Sequence, residues 1–186
     1  MKTAPRILHL EDDRVDARLI RDTLKEAGLE AAITHVSNRA EFEAALARDA
    51  PDLILSDYRL PGFSGEAALE MSRSAPTEIP FIFVTGALGE ELAVSLLRSG
   101  ATDYVLKDRL SRLAPAIERA LAEAAEHALR QHAEEEIKQL NATLEARVLN
   151  RTAELSHAVA ALETEIAARR KLELEVLEIS EREQCR

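Results

Sequence analysis

The chain has 186 residues, of which 46% are hydrophobic, and this length suffices for one ordinary domain with a core plus an extension. Its net charge of −10 argues against direct binding of nucleic acid, and its one cysteine, Cys185, excludes an intrachain disulfide and a cysteine-ligated metal cluster. The apolar run at the N-terminus is too short for a signal peptide and no run of 18 apolar residues occurs, so we expect a cytoplasmic protein without a membrane segment.

In the first part of the chain, strand-like apolar segments alternate with helical patterns. Strands are predicted at 6–10, 31–36, 52–56, 80–85 and 103–106. Helices are predicted at 13–28, 38–49, 64–74 and 89–100, with a last helix from about 110. We expect Asn38 and Ser64 to cap helix N-termini and Gly28 and Gly100 to end helices. This (βα)5 order predicts an α/β fold with a doubly wound parallel sheet and helices on both faces.

Turn-forming residues are confined to that first part. Every Gly lies at or before Gly100, every Asp lies at or before Asp108, and the last proline is Pro115. A segment without these residues has few means of turning. We therefore expect a globular domain over residues 1–114 and a helical extension over 115–186.

Polar residues follow the predicted strand ends. If the strand order is flavodoxin-like, 2-1-3-4-5, then strands one, three, four and five are neighbours, and ligands bind at their carboxyl ends. The residues found there are Glu11, Asp12 and Asp13 after the first strand, Asp57 after the third, Thr85 at the end of the fourth and Lys107 after the fifth. We expect these side chains to meet at one edge of the sheet.

This set of side chains favours phosphoryl chemistry. Clustered carboxylates repel one another and call for a cation, and an all-oxygen ligand set suits Mg²⁺. The Asp57 carboxylate can attack phosphorus to form an acyl phosphate. Thr85 can donate a hydrogen bond to the phosphoryl oxygens, and Lys107 can balance their charge. Each residue alone has an ordinary explanation, such as a helix cap, so the prediction rests on their combination.

Four segments together resemble the receiver domain of two-component response regulators. They are "LEDD", "PDLILSDYRLPGFSG", "FIFVTGALG" and "GATDYVLKDRL", and the resemblance covers about residues 5–120. It implies that Glu11 and Asp12 bind Mg²⁺, with Asp13 as a less certain third acid. It also implies that Asp57 is the phosphoacceptor and a metal ligand, and that the backbone carbonyl of Arg59 completes the protein ligands.

The resemblance also implies roles for the ends of the last two strands. Thr85 and Tyr104 would form a switch pair, in which the hydroxyl moves toward the phosphoryl group and the aromatic ring turns inward. Lys107 would be the lysine characteristic of the family. Two positions depart from the usual pattern, since Asp108 stands where proline is usual and Gly86 stands where Ala or Ser is frequent.

Apolar residues continue along the extension at steps of mostly three and four, the pattern of a coiled coil. They are Ile137, Leu140, Leu144, Val148, Leu155, Val159, Leu162 and Ile166. The 4-4 step through Leu144 resembles a stutter, and Thr152 fills an expected core position. We expect a parallel dimeric coiled coil over 115–186, similar to the connectors of sensor kinases. The alternative, a hairpin that folds back on the domain, lacks a turn signal.

Together these features predict a phosphorelay protein. Asp57 would accept a phosphoryl group from phosphohistidine on a cognate histidine kinase or phosphotransfer protein. The coiled coil would relay this state to a C-terminal histidine kinase or another output module. The receiver would catalyse its own phosphorylation and dephosphorylation, and whether the parent protein is an enzyme is open.

Two other functions compete with this prediction. The first is a constitutive dimeric scaffold whose receiver stays unphosphorylated. The second is a phosphohydrolase with an aspartyl nucleophile, which is disfavoured because Arg59 stands where such enzymes usually place a second aspartate. The histidines of the extension, at 127, 132 and 157, lack the context of a kinase phosphoacceptor, so we expect them on a solvated helix face.

Overall fold

The fold consists of strands and helices that alternate along the first 112 residues, followed by one long helix. A computed structural model describes residues 4–48, 50–74, 78–86 and 90–184. In chain order the elements are β1 (Arg6–Leu10), α1 (Arg14–Glu26), β2 (Ala32–Val36), α2 (Arg39–Arg48), β3 (Leu53–Ser56), β4 (Arg59–Leu60), β5 (Phe63–Ser64), α3 (Gly65–Arg73), β6 (Phe81–Thr85), α4 (Glu90–Arg98), β7 (Asp103–Leu106), a 3₁₀ helix (Lys107–Arg112) and α5 (Leu113–Gln184).

Five parallel strands form the central sheet in the order β2-β1-β3-β6-β7. This is the predicted 2-1-3-4-5 order of the five main strands, and the prediction of a flavodoxin-like doubly wound sheet is confirmed. The three central strands β1, β3 and β6 are buried almost throughout. Their continuous apolar sequences follow from this position, because both faces of a parallel sheet are covered by helices.

Each face of the sheet carries its own apolar core. Neighbouring residues of β6 point to opposite faces, as in any strand: Ile82 belongs to one core and Phe83 to the other. The first core includes side chains of α1 and of the start of α5, such as Ile20 and Ile117. The second core includes Phe42 from α2 and further side chains from α3 and α4. The sheet is therefore held from both sides and its strand ends are fixed in position.

The helix termini follow the sequence signals. The side-chain oxygen of Asn38 accepts a hydrogen bond from the Glu41 backbone N–H, and that of Ser64 accepts one from Ala67. At the other ends, Gly28 and Gly100 have positive φ angles of 78° and 98°. Only glycine adopts this conformation without strain, so these two residues end α1 and α4 as predicted.

Two features were not predicted from the sequence. No strand is predicted from the sequence between residues 57 and 63, but β4 and β5 pair over residues 59–64 as a small antiparallel hairpin that turns at Gly62, φ 72°. The last helix was expected from about residue 110, but α5 begins at Leu113 after the 3₁₀ helix. Within that 3₁₀ segment Arg109 departs from helical angles, with φ −130° and ψ 41°. Such tight turns are common at the entry to an α-helix.

The long helix α5 contains 72 residues. The chain divides into two compact units, which meet between Leu129 and Arg130. Residues 113–120 of α5 bury Leu113 and Ile117 in the first core, whereas residues 130–171 are exposed along their whole length. None of the helices in the described ranges combines the length and the apolar character that a bilayer crossing requires.

Gly65 generates a first prediction. A Cβ atom at this position would lie 2.5 Å from the Asp57 backbone oxygen and 2.6 Å from Phe83 Cε1. We expect Gly65→Ala to reduce the free energy of unfolding by about 1–3 kcal/mol, because either the start of α3 or β3 must move. The measurement is chemical denaturation.

The matched control for this change is Gly86→Ala. A Cβ atom at Gly86 would meet nothing within 4 Å, so the same substitution should be close to neutral there. Equal losses of stability at the two positions would contradict the packing argument.

His9 generates a second prediction. Its imidazole is 1% exposed, and burial, together with the positive charges of His35 and Lys107, lowers its pKa to about 3. The unfolded chain takes up a proton below about pH 6.5, whereas the folded chain does not. Stability is therefore full above pH 6.5 and should fall by up to about 1.4 kcal/mol per pH unit as the pH decreases toward 5.

The measurement is the denaturation midpoint between pH 7.5 and 5 with divalent metal chelated. His9→Leu should flatten this pH dependence. His157→Gln, which removes an exposed histidine of α5, should leave the dependence intact. An unchanged slope in His9→Leu would show that another group causes the loss.

Candidate functional site

The register of the sheet places two acidic residues side by side. Leu10 of β1 is paired with Ser56 of β3, so Glu11 and Asp57 follow at equivalent positions on neighbouring strands. The Asp57 backbone N–H donates to the Leu10 carbonyl at 2.9 Å. The side chain of Glu11 is 1% exposed and that of Asp57 is 13% exposed. Both carboxylates are thus held at the rim of the core, where an unpaired charge is costly.

Lys107 brings a positive charge to these acids. It follows β7, and its ammonium lies 2.7 Å from Asp57 Oδ2, 2.7 Å from Glu11 Oε2 and 2.6 Å from Asp16 Oδ2. The contacts with Asp16 and Asp57 have hydrogen-bond geometry. The structure therefore brings together three of the predicted site residues, Glu11, Asp57 and Lys107, around one ammonium group.

Asp16 was missed by the sequence analysis. It lies in the first turn of α1, three residues after Asp13, which caps that helix. The signal that could have revealed it is this spacing, because residues three apart on a helix lie on the same face. The helix dipole also favours an acid in the first turn. Because this accounts for Asp16 without any partner, its contact with Lys107 could not be predicted from the sequence.

Burial and charge shift the pKa values of this cluster in known directions. Burial raises the pKa of Glu11, although the adjacent Lys107 ammonium opposes the change. Burial alone would lower the pKa of Lys107, but its contacts with Asp16, Asp57 and Glu11 outweigh burial and raise that pKa. Lys107 is therefore firmly cationic at neutral pH, and it is one positive charge facing three acidic side chains.

The loop after β3 fixes the second oxygen of Asp57. The Arg59 backbone N–H donates to Asp57 Oδ1 at 3.3 Å, a long hydrogen bond, and Ser56 Oγ donates to the Asp57 carbonyl at 2.8 Å. The Gly65 N–H donates to the Tyr58 carbonyl at 3.0 Å and closes the loop. Arg59 itself lies in β4, directly beside the phosphoacceptor candidate. Oδ1 is thus the less strongly held oxygen of Asp57.

Three carboxylates fit a small divalent cation. One oxygen atom from each of Glu11, Asp12 and Asp57 lies within 4.8 Å of the other two. Glu11 Oε2 is buried and, despite its proximity to Lys107, accepts no hydrogen bond from the described residues. An all-oxygen group with a free buried acceptor and a net negative charge matches the preferences of Mg²⁺, which binds through a few carboxylates and keeps several waters.

Asp13 has a different position from its two neighbours. Its side chain accepts a hydrogen bond from the Val15 backbone N–H at 2.7 Å and forms the N-cap of α1. Its own N–H donates to Glu11 Oε1 at 3.2 Å. Asp13 thus orients Glu11 and begins the helix, and it is not a member of the three-carboxylate group.

The remaining predicted residues lie on the last two strands. Thr85 is the final residue of β6, is 1% exposed, and is paired with Leu106, the residue before Lys107. Tyr104 lies in β7 and packs half-buried against the second core. The peptide bond between Lys107 and Asp108 is trans, since no cis bond occurs in the described part of the chain.

Comparison with known proteins agrees with this geometry. Residues 7–118 match the response regulator receiver domain family. The chain is 30% identical over 107 residues to the C4-dicarboxylate transport transcriptional regulatory protein DctD of Rhizobium meliloti, a match that covers 58% of this chain and 23% of that protein. The chain thus spans about a quarter of the length of this curated relative.

Solved structures show the same fold. The signal receiver domain of a signal transduction histidine kinase from Syntrophus aciditrophicus is 31% identical with a TM-score of 0.56, and the match covers 64% of this chain and 92% of that domain. NtrX from Brucella abortus is 26% identical with a TM-score of 0.63, over 69% of this chain and 29% of NtrX. The family match, the sheet order and the acidic cluster around Lys107 lead to one conclusion: this chain belongs to the response regulator receiver domain family of two-component systems.

Proposed function

We propose that Asp57 is phosphorylated by a phosphohistidine of a cognate histidine kinase or phosphotransfer protein. The observation that carries this proposal is the position of the Asp57 carboxylate, which is 13% exposed, 2.7 Å from the Lys107 ammonium, and grouped with Glu11 and Asp12. A carboxylate so placed is reachable by a donor, yet its charge is balanced on the protein side. This is the arrangement that a nucleophile for phosphoryl transfer requires.

The proposed reaction transfers one phosphoryl group. An oxygen of Asp57 attacks phosphorus, the new O–P bond forms, and the P–N bond to the donor imidazole breaks. The imidazole nitrogen keeps the bonding electrons and takes up a proton. Lys107 stays cationic and stabilises the phosphoryl oxygens, and Thr85 donates its hydroxyl hydrogen bond to them. The chain thereby catalyses its own phosphorylation, and attack by water on the acyl phosphate reverses it.

Glu11, Asp12 and Asp57 would hold Mg²⁺, together with the backbone carbonyl of Arg59. The bound ion supplies electrostatic stabilisation of the charge that develops on the phosphoryl oxygens. The roles of the protein residues are separate: Asp13 and Asp16 fix the positions of Glu11 and Lys107. The proposal is supported by the 4.8 Å grouping and by the buried Oε2 of Glu11, which accepts no hydrogen bond from the described residues although it lies beside Lys107.

Phosphorylation would be read out through the Thr85 and Tyr104 pair and through α5. Thr85 adjoins β7 through its pairing with Leu106, and α5 follows β7 after the 3₁₀ helix. A movement of Thr85 toward the phosphoryl group, with Tyr104 turning inward, biases this face between two states. The receiver domain would comprise residues 1–114, and residues 115–186 would form a parallel dimeric coiled coil that leads to a histidine kinase or another output module.

The competing function is a constitutive dimeric scaffold. Its receiver would use the same fold for contact alone, and the charge cluster would be structural. The partly exposed Asp57 and the excess of negative charge favour the phosphoacceptor role, since a purely structural lysine needs one or two partners rather than three acids. The two experiments below separate the two functions.

The first experiment labels the protein with a small phosphodonor, such as acetyl phosphate or phosphoramidate, in the presence of Mg²⁺. Wild-type protein should gain one phosphoryl group, detected as an acid-stable, base-labile mass increase. Asp57→Asn should lose the label, because an amide is not a nucleophile at neutral pH.

The control is Asp22→Asn, which removes an exposed aspartate of α1 that pairs with Arg18 one turn away. This variant should be labelled like the wild type. Persistent labelling of Asp57→Asn would place the phosphoacceptor elsewhere, and no labelling of any variant would favour the scaffold.

The second experiment measures stability with and without Mg²⁺. Lys107→Met leaves three acids without their cation and should cost about 3 kcal/mol in metal-free buffer. Because the site then carries more negative charge, Mg²⁺ should bind more tightly to the variant and restore more stability than it adds to the wild type. A ligand present at ten times its dissociation constant adds about 1.4 kcal/mol to the free energy of unfolding.

The matched control is Lys25→Met, at the exposed end of α1, where neither effect is expected. Thermal unfolding in EDTA and in graded MgCl₂ provides the comparison. Equal Mg²⁺ effects in all three proteins would argue against a metal site beside Lys107.

A further inference from the structure

Eight large apolar residues of α5 form one exposed stripe. Each is more than half exposed, from 52% for Ile166 to 62% for Val148. The stripe consists of Ile137, Leu140, Leu144, Val148, Leu155, Val159, Leu162 and Ile166. An apolar stripe of this length on a helix calls for a partner, since single exposed apolar residues are ordinary but a contiguous row is not.

The stripe repeats every 11 residues rather than every seven. Nine positions, the eight of the stripe and that of Arg151, fall into three columns: Ile137, Val148 and Val159; Leu140, Arg151 and Leu162; and Leu144, Leu155 and Ile166. Steps of three, four and four therefore recur throughout, and the 4-4 step through Leu144 is one instance of a regular period. An 11-residue repeat has about 3.67 residues per turn, which gives paired helices a slight right-handed supercoil.

The columns also separate side chains by shape. The first column contains β-branched residues throughout, and the second contains leucine at both of its apolar positions. Among parallel coiled coils, β-branched residues at one core position with leucine at the other are the combination that favours two strands. We propose that a second copy of this chain covers the stripe, in parallel and in register, with an 11-residue period. This inference rests on the dimer proposed above and defines its geometry.

The size of the stripe matches such an interface. Eight large side chains from each of two copies would bury roughly 1,000–2,000 Å² in total. This is the range of stable protein–protein interfaces, which bury roughly 1,200–2,000 Å². The stripe is thus large enough to hold two copies together without further contacts.

The charges that flank the stripe favour an antiparallel pair instead, but their contribution is weak. Glu134–Glu136 precede the stripe and Arg169–Lys171 follow it, so an antiparallel pair would bring the acidic end of one copy to the basic end of the other. All six side chains are exposed, and exposed ion pairs contribute little compared with a buried apolar layer. These charges therefore do not rule out the parallel orientation.

A polar layer lies in the middle of the stripe. Arg151 Nη1 donates to Glu154 Oε2 at 2.7 Å, and Thr152 Oγ1 donates to the Val148 carbonyl at 2.8 Å. Arg151 and Thr152 thus each have one partner within their own helix, and the remaining guanidinium donors of Arg151 require solvent at the edge of the interface. In register, the two Arg151 residues share one layer, whereas a slip by one repeat would place Arg151 against leucine. The polar layer thus fixes the register.

The test uses disulfide cross-linking in the full chain with Cys185→Ser as background. After sedimentation has established a dimer, Ile137→Cys alone and Ile166→Cys alone should each form a disulfide-linked dimer on oxidation, because parallel copies place equal residues face to face. His157→Cys, on the opposite side of the helix, is the control and should not cross-link. Links that form solely between Ile137→Cys and Ile166→Cys chains would show an antiparallel pair and overturn the proposal.

The period is tested at the central layer. Arg151→Cys and Thr152→Cys should cross-link to similar extents, since an 11-residue repeat places residue 151 on one side of the centre of the interface and residue 152 on the other. Cross-linking at 152 but not at 151 would indicate a heptad core and overturn the 11-residue period.

The role of the polar layer is tested with Arg151→Leu. This variant should dimerise several-fold more tightly and allow Ile137→Cys chains to link with Val148→Cys chains, whereas His157→Leu should do neither. Unchanged register in Arg151→Leu would overturn the role of this layer. A monomer in sedimentation would overturn both the proposed dimer and this geometry, while labelling of Asp57 tests the phosphoacceptor independently.

Discussion

The ammonium group of Lys107, held among the side chains of Glu11, Asp16 and Asp57, is the interaction on which the site depends. These acids come from the end of β1, the first turn of α1 and the end of β3, so one lysine after β7 ties together parts of the chain near residues 11–16, 57 and 107. One positive charge does not balance this set. The remaining negative charge suits a cation, and the proposed phosphoryl group would bring charge that this cation offsets.

The fold, and the grouping of Glu11, Asp57 and Lys107 at one edge of the sheet, could be predicted because their signals are local. Apolar runs mark the buried strands, Asn38 and Ser64 mark helix starts, and acids or lysine directly after a strand lie at its carboxyl end by topology alone. Asp16 could not be predicted in this way. Its position beside Lys107 depends on how α1 packs against the sheet, whereas its sequence context is that of any acid in a first helical turn.

The hairpin at 59–64 escaped prediction for a related reason. Two-residue strands carry too little pattern to be distinguished from a loop, and their pairing depends on Gly62 with its positive φ. The extension shows the opposite case. There the sequence pattern is long and regular, and its period could be measured over 30 residues, but the pattern alone does not show whether Arg151 or Thr152 lies nearer a partner helix, and both side chains are hydrogen-bonded within their own helix.

The contact between Gly65 and the backbone of Asp57 has a consequence for reactivity. The peptide of Asp57 is fixed by its bond to Leu10 on one side and by the start of α3 on the other, so this carboxylate has little backbone freedom to lose when a ligand arrives. Its position is set during folding rather than in each binding event. Under the proposed phosphoacceptor role, the start of α3 would therefore help to position the reacting oxygen through the backbone alone.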